Sequence, residues 1–247
     1  MHRHYLQTSR LTSGTIALTR DEARHLRTVL RICDGEVVEL FDGRGLTMAA
    51  RVVASDRQGL RLEAVAEPVR HAPHACAVTL WTCICKGKRM DWTVEKAVEL
   101  GAARIVPVIS SRTIVRLDDE DTEGKSERWT RVAVEAARQC GAAWLPAIDA
   151  PTAIADVGPS VRACAPVFVA ALVPTAQPMR AALARLRAAG GTPARAGWFV
   201  GPEGDFTHEE LRLLLDAGAI PVNLGRQVLR AETAAVWGLC LLGAEWL

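Results

Sequence analysis

Phe199-Val200-Gly201-Pro202-Glu203-Gly204-Asp205, read with Asn223-Leu224-Gly225-Arg226-Gln227-Val228-Leu229-Arg230-Ala231-Glu232-Thr233, decides the fold. Each segment sets a glycine loop directly behind a short apolar run. Open α/β sheets present their ligand sites in this way: the strand ends, and glycine lets backbone come close to whatever binds there. The first loop is not a phosphate-binding P-loop, since no Lys-Ser or Lys-Thr follows it, and no GxGxxG occurs in the chain. Glu203 and Asp205 would repel a phosphate but suit a neutral nucleoside or a cationic sulfonium. A plain tight turn ahead of the helix that opens at Thr207 remains an alternative reading of the same residues.

Outward from these loops the rhythm is strand, helix, strand, helix. Apolar runs at 78–85, 104–109, 167–172 and 197–200 are each followed by an amphipathic segment, which predicts an α/β domain with a mostly parallel sheet. One helix runs from Met90 to Leu100 and stops at Gly101. A second, capped by Ser126, carries Trp129, Val132, Ala133, Ala136 and Ala137 on one face and stops at Gly141. A third opens on Thr207 and Glu210, spaced as a capping box, and stops at Gly218. The acids between Asp118 and Glu123 predict a solvated loop. The last helix, Ala231 to Leu247, is apolar nearly all round, so it must be buried, in its own core or against a second copy.

The first part of the chain reads differently. Thr19 and Glu22 form another capping box, before Ala23, Leu26, Val29 and Leu30 at helical spacing. Turn-linked apolar runs, Val37 to Phe41, Leu46 to Ala54 and Leu60 to Val65, predict a small β-barrel, and Pro68 to Pro73 a linker. The expected domains are therefore 1–72, a barrel, and 73–247, the α/β unit.

A net charge of +2 makes the protein no polycation, so any nucleic-acid surface must come from local clusters. The seven cysteines contain no CxxC pair, which favours free thiols over a zinc site, and no metal is expected. The N-terminus lacks the apolar core of a secretory leader, and Thr233 to Ala244 is too short to span a bilayer. A cytoplasmic location is expected.

GPEGD at 201–205 and LGRQVLRAETA at 224–234 resemble the signature of the ribosomal RNA small subunit methyltransferase E family, of the SPOUT class of knotted methyltransferases. KGKRMDWTVEKAVELGAARIVPVISSRT at 86–113, RWTRVAVEAARQCGAAWLPAI at 128–148 and HLRTVLRICDGEVVELFDG at 25–43 resemble further stretches of that family, in the same order. The resemblance implies a PUA-like N-terminal RNA-binding barrel, a catalytic domain with a deep trefoil knot, a homodimer and S-adenosylmethionine as cofactor. It also implies methylation of the N3 of one uridine in 16S ribosomal RNA, expected within the small ribosomal subunit, with naked RNA as the alternative substrate. The residues alone point to an unknotted doubly wound sheet, because knots are essentially absent from folds in general. This chain departs from the family pattern at Asp205, where a second glycine is usual, at Ala142, where Arg often stands, and at Val173-Pro174, where a polar residue is expected.

Carried onto this chain, the pattern puts the cofactor against Leu172, Gly201, Glu203, Gly204, Leu224, Gly225, Val228 and Leu229. For Leu172, Val228 and Leu229 plain core packing is the alternative. Uridine N3 carries a proton that must leave, so the site needs a donor for the negative charge that develops on the base. Arg230 is the catalytic candidate, and Glu232 or Glu203 could accept the proton; Glu232 equally suits a helix N-terminus. RNA contacts are expected from Arg3, Arg10, Arg24, Arg27 and Arg31, the last three on one helical face, and from Lys86, Lys88 and Arg89. Lys96, Arg104, Arg112 and Arg116 extend that second cluster. Two rival functions fit the same motifs, a methyltransferase acting on a ribose 2′-hydroxyl and a non-catalytic RNA-binding assembly factor.

Overall fold

The computed structural model describes all residues except 7–10, 12–13, 29–30, 57–58 and 114–118, and the side chains of 25, 55–56 and 119–123. The chain forms two compact units, residues 1–73 with 137–145, and residues 74–136 with 146–247.

The first unit contains β1 (His2–Tyr5), β2 (Thr15–Thr19), α1 (Arg20–Thr28), β3 (Val37–Phe41), β4 (Leu46–Asp56), β5 (Gly59–Ala64) and β6 (Val69–Arg70). The strands join in the order β1-β3-β4-β5-β2, with β6 on β4, and among the described residues only the β1–β3 pair is parallel. Alternate residues of the strands point inward: Val38, Leu40, Met48, Ala50, Val52, Leu60 and Leu62 form one core with Ala23 and Leu26 of α1. The predicted capping box starts α1, with Glu22 accepting the Thr19 N–H at 2.8 Å and Thr19 Oγ1 accepting the Glu22 N–H at 3.4 Å. Val29 and Leu30 lie outside the described residues.

Two expectations change here. Arg31 lies beyond the end of α1, with φ 51, so it does not share a helical face with Arg24 and Arg27. The expected linker at Pro68 to Pro73 is pinned to the sheet instead. It contains β6, the His71 N–H donates to the Gly45 carbonyl at 2.7 Å, and the His71 ring meets Thr47 Oγ1 at 2.8 Å.

The second unit contains β7 (Ala77–Cys83), α2 (Lys88–Glu99), β8 (Arg104–Ile109), α3 (Asp119–Cys140, its last turn in the first unit), β9 (Ala147–Ile148) and β10 (Thr152–Ala153). It continues with α4 (Gly158–Arg162), β11 (Val167–Ala170), β12 (Gln177–Pro178), α5 (Met179–Ala189), β13 (Arg195–Val200), α6 (His208–Asp216), β14 (Ile220–Asn223) and α7 (Ala231–Trp246). The sheet is parallel throughout, in the order β10-β8-β7-β13-β11-β14-β12 with β9 on β8. β7 and β13 are central, and both faces are covered. That is why they read as nearly continuous apolar runs, with Trp81 stacked on Phe199 at 6.0 Å between ring centroids.

α3 starts earlier than its sequence suggests. Ser126 is an interior residue of α3, not its cap, and residues 119–123 are helical, not loop. Acids suit that position, because the N-terminal end of a helix carries partial positive charge. Asp118 lies outside the described residues. α7 packs on β7, β13 and α2, burying Ala231, Ala234, Ala235, Gly238, Leu239, Leu242 and Trp246. Its opposite stripe is incompletely covered: Thr233, Cys240 and Ala244 are exposed, and Val236, Trp237 and Leu241 half-buried.

Candidate cofactor and substrate site

β13, β11 and β14 lie side by side, and their carboxyl ends open into one cavity of about 270 Å³. Chain order and spatial order diverge here, since β13 inserts between β7 and β11, and ligands of open α/β sheets bind at such points. The walls are residues 170–172 after β11, 200–203 and 205 after β13, and 222–225, 227–231 and 234 from β14 into α7. The two glycine loops are thus brought together although the sequence between them holds a whole helix.

Of the eight residues expected at the cofactor, Leu172, Gly201, Glu203, Leu224, Gly225, Val228 and Leu229 line the cavity, and Gly204 does not. Leu172 is 62% exposed and Val228 74%, so neither is a core residue. They are large apolar side chains held at an opening without apolar cover. Gly201 is buried, and a Cβ there would stand 2.9 Å from the Phe206 ring, so the loop's own packing forbids a side chain. At Gly204 a Cβ would stand 3.3 Å from Arg112 Cδ. Gly225, at φ 134, has open space around it.

Asp205 adopts φ 60, a left-handed conformation that glycine enters freely and most residues avoid. Its own carboxylate compensates in part, with Oδ1 accepting the Phe206 N–H at 2.8 Å. Glu203 is ion-paired with Arg89 at the start of α2. Behind the opposite wall, Asn223 Nδ2 donates to the Ala176 carbonyl at 2.9 Å and ties the end of β14 to the loop after β11. Sequence reading gave Asn223 no role, because its partner lies 47 residues away in an unpatterned loop.

Arg230 lines the cavity and is the N-cap residue of α7, with its side chain exposed and making no capping hydrogen bond. Glu232 stands in the first turn of α7, outside the lining. Its Oε2 is buried with no hydrogen-bond partner among the described residues. Cys85 feels it: burial chiefly, then Glu232 and Glu203, pushes that thiol up to about 11.

The expected RNA contacts divide. Lys86, Lys88 and Arg89 are exposed around the start of α2, with Arg89 held by Glu203. Lys96 is bound to Glu95 and Glu99, and Arg104 to Asp149. Arg3 is largely engaged inside its own unit: its side chain is only 9% exposed, bonded to Glu39 and to the Ala137 and Ala142 carbonyls, with its guanidinium 4.5 Å from the Phe41 ring centroid. That arrangement engages its Nε and Nη1 within the protein. Arg24 and Arg27 line a groove on α1 with Arg20, and Arg27 also donates to the Gly59 carbonyl at 2.7 Å. Arg10 and Arg116 lie outside the described residues. Among the described residues no cluster of three or more His, Cys, Asp or Glu could hold a metal. No helix is long and apolar enough to cross a membrane, again among the described residues.

Comparison with known proteins gives the same picture from outside. Residues 72–243 match the model of the RNA methyltransferase domain, and residues 18–65 that of the RNA methyltransferase PUA domain. The chain is 32% identical to ribosomal RNA small subunit methyltransferase E of Mycobacterium bovis, over 97% of this chain and 90% of that one. It is 29% identical to the protein of the same name from Synechocystis, over 98% of this chain and 77% of that one. A crystal structure of ribosomal RNA small subunit methyltransferase E from Neisseria gonorrhoeae bound to S-adenosyl methionine superimposes with a TM-score of 0.84. It is 28% identical and covers 100% of this chain and 98% of its own. With a PUA domain ahead of an RNA methyltransferase domain and relatives matched over nearly the whole of this chain, the chain belongs to the ribosomal RNA small subunit methyltransferase E family.

Proposed function

We propose that this protein transfers the methyl group of S-adenosylmethionine to the N3 of a uridine in 16S ribosomal RNA, in the cytoplasm and as a homodimer. The observation that carries this reading is the single cavity into which three adjacent strand ends open, with Arg230 on its wall. The cavity suits the cofactor chemically. Leu172 and Val228 offer apolar surface that a nucleoside would cover, and Glu203 and Asp205 offer negative charge near a cationic centre. Leu224, Gly225 and Leu229 supply backbone for the same ligand. Bound S-adenosylmethionine provides an electrophilic methyl group on a sulfonium.

Arg230 acts on the base. As the uracil N3 loses its proton and attacks, negative charge spreads over the neighbouring carbonyl oxygens, and a guanidinium donor stabilises it. Arginine cannot itself take the proton at ordinary pH. Glu232, with a buried and unfilled acceptor oxygen two residues away, is the group we assign to receive it. Lys86, Lys88 and Arg89 on one unit, and Arg24 and Arg27 on the other, hold the RNA backbone. The knot belongs to this reading as the family's way of bringing the two glycine loops together.

The homodimer is supported by α7, whose stripe of Thr233, Val236, Trp237, Cys240, Leu241 and Ala244 is left partly open although almost wholly apolar. The reading is tested by incubating the protein with labelled S-adenosylmethionine and small subunits, or naked 16S RNA, from a strain lacking the gene. A methyl group at uracil N3 blocks base pairing and stops reverse transcriptase at one position. A methyl on a ribose 2′-oxygen protects the adjacent linkage from alkali instead, and would establish the rival chemistry. Binding of RNA without any transfer would leave an assembly factor.

A further inference from the structure

After β8 the chain makes a tight turn, in which the Ser110 N–H donates to Thr113 Oγ1 at 2.9 Å and the Thr113 N–H to the Ser110 carbonyl at 3.0 Å. α6 grips this turn from below. Glu210 is buried, and one carboxylate oxygen accepts the Ser111 N–H at 2.7 Å while the other accepts the Thr207 N–H at 2.9 Å. The capping carboxylate of α6 is therefore shared with a turn 99 residues earlier in the chain.

Arg112 leaves the same turn in the opposite sense. Its Nη1 donates to the Gly204 carbonyl and lies 3.4 Å and 3.5 Å from the carbonyls of Asp205 and Phe206. Its aliphatic stem rests on Gly204, where a Cβ would stand 3.3 Å from Cδ. The Asp205 N–H reaches the Pro202 carbonyl at 3.0 Å, Asp205 sits in a left-handed conformation, and residues 201–203 just before it form the cavity wall. A guanidinium nitrogen set against neighbouring carbonyls makes charge-assisted bonds stronger than neutral ones.

We propose that Arg112 is a positioning residue that holds loop 201–206 in its ligand-binding shape, with Glu210 fixing the turn from which it reaches, and that it is not one of the RNA-contacting cations. This inference rests on the cofactor reading of the cavity. The glycine at 204 is explained by the clasp, since it lies outside the cavity lining but directly under the Arg112 stem.

The test separates cofactor affinity from RNA affinity. Arg112→Ala should weaken S-adenosylmethionine binding, measured by calorimetry, by about tenfold or more. Its affinity for a 16S RNA fragment, measured by fluorescence anisotropy, should stay within about twofold. KM for the cofactor should rise while kcat at saturation falls far less. Arg112→Lys should recover part of the loss, because one ammonium can still reach the Gly204 carbonyl. Glu210→Gln should show the same split more mildly, as its amide oxygen can accept only one of the two N–H groups. Should Arg112→Ala fail to fold, Gly204→Ala carries the test: a Cβ against the stem should weaken cofactor binding several-fold and leave RNA binding intact. Wild-type cofactor affinity in folded Arg112→Ala, or in Gly204→Ala where that variant carries the test, overturns the proposal. So does a loss confined to RNA affinity. If the wild-type protein itself does not bind S-adenosylmethionine, the cofactor reading fails, and the proposal fails with it.

Discussion

Trp198 of β13 donates its indole N–H to the Ala234 carbonyl of α7 at 3.1 Å, and its ring fills the space where a side chain on Gly238 would begin. A Cβ at Gly238 would lie 2.1 Å from Trp198 Cε2, nearer than any atoms can pack. This close seat sets how α7 crosses the sheet, and through α7 it sets where Arg230 emerges beside the cavity. Gly238→Ala must push helix and ring apart. Despite the better helix propensity of alanine, it should destabilise the protein by roughly 1–3 kcal/mol, the usual cost of overpacking. Equilibrium urea denaturation measures this, and an unchanged midpoint would show that the seat is looser than its geometry implies.

Asp205 offers a graded test of backbone strain. The left-handed conformation costs an ordinary residue about 1–2 kcal/mol, and the Phe206 N–H bond returns about 0.5–1.5 kcal/mol of that to aspartate. Asp205→Gly removes both effects and should be nearly neutral in stability. Asp205→Ala keeps the strain and loses the bond, so it should be the less stable variant by about 1 kcal/mol. Equal stability of the two variants would mean that φ relaxes once the carboxylate is gone.

Leu172 and Val228 separate ligand contact from core packing. Both are well exposed, so truncating either to alanine should leave the melting temperature within about a degree. If the cofactor covers them, each truncation removes apolar contact worth on the order of 1 kcal/mol and weakens S-adenosylmethionine binding about fivefold. Unaltered calorimetric affinity in both variants would move the ligand elsewhere in the cavity.

The thiols report on folding and assembly together. Burial chiefly, then Glu210, pushes Cys83 up to about 12, despite a hydrogen bond with Ser110, and Cys85 is pushed to about 11. Neither should react with iodoacetamide near neutral pH, since the thiolate is the nucleophile. Cys33 and Cys140 are exposed and should label readily. Cys240 is exposed on the open stripe of α7, so it should label slowly if a second copy covers that stripe. Mass spectrometry after timed labelling distinguishes the three classes. Cys240 reacting as fast as Cys33 would argue against α7 as the dimer face.

The parts of this molecule legible in the sequence are those written in local pattern. β13 is a run of buried residues because it is covered on both faces, and the box at Thr207 and Glu210 marks the first turn of α6. The two-residue strands β9, β10 and β12 carry no such pattern and are defined only by the partners they meet. Cations are the least legible. Arg3, Arg104 and Arg112 look alike in sequence, yet one is engaged by carbonyls and Glu39, one by Asp149, and one by a loop 92 residues away. A charge count treats them as one surface, whereas folding gives each its own partner. The start of α3 was hidden for a related reason, because acids that suit a solvated loop suit a helix N-terminus equally well.

Arg230 separates chemistry from binding. It is the N-cap residue of α7 but makes no capping bond with its side chain, so helix stability gives no reason for arginine at this position. If it stabilises the charge developing on uracil, Arg230→Ala should slow single-turnover methylation about a hundred- to a thousandfold, the usual result of losing one such donor. Cofactor affinity should change little, because the contacts we assign to the cofactor come from other residues of the cavity. Arg230→Lys should recover little, since a point charge lacks the planar fork. Glu232→Gln provides the partner experiment. If that carboxylate receives the N3 proton, its rate loss should shrink as pH rises, because hydroxide in bulk solvent increasingly takes over deprotonation of the imide. A merely structural Arg230 predicts a lower melting temperature and activity that returns on cooling. A folded Arg230→Ala protein that turns over at nearly the normal rate removes Arg230 from the mechanism and makes Glu232 the next residue to test.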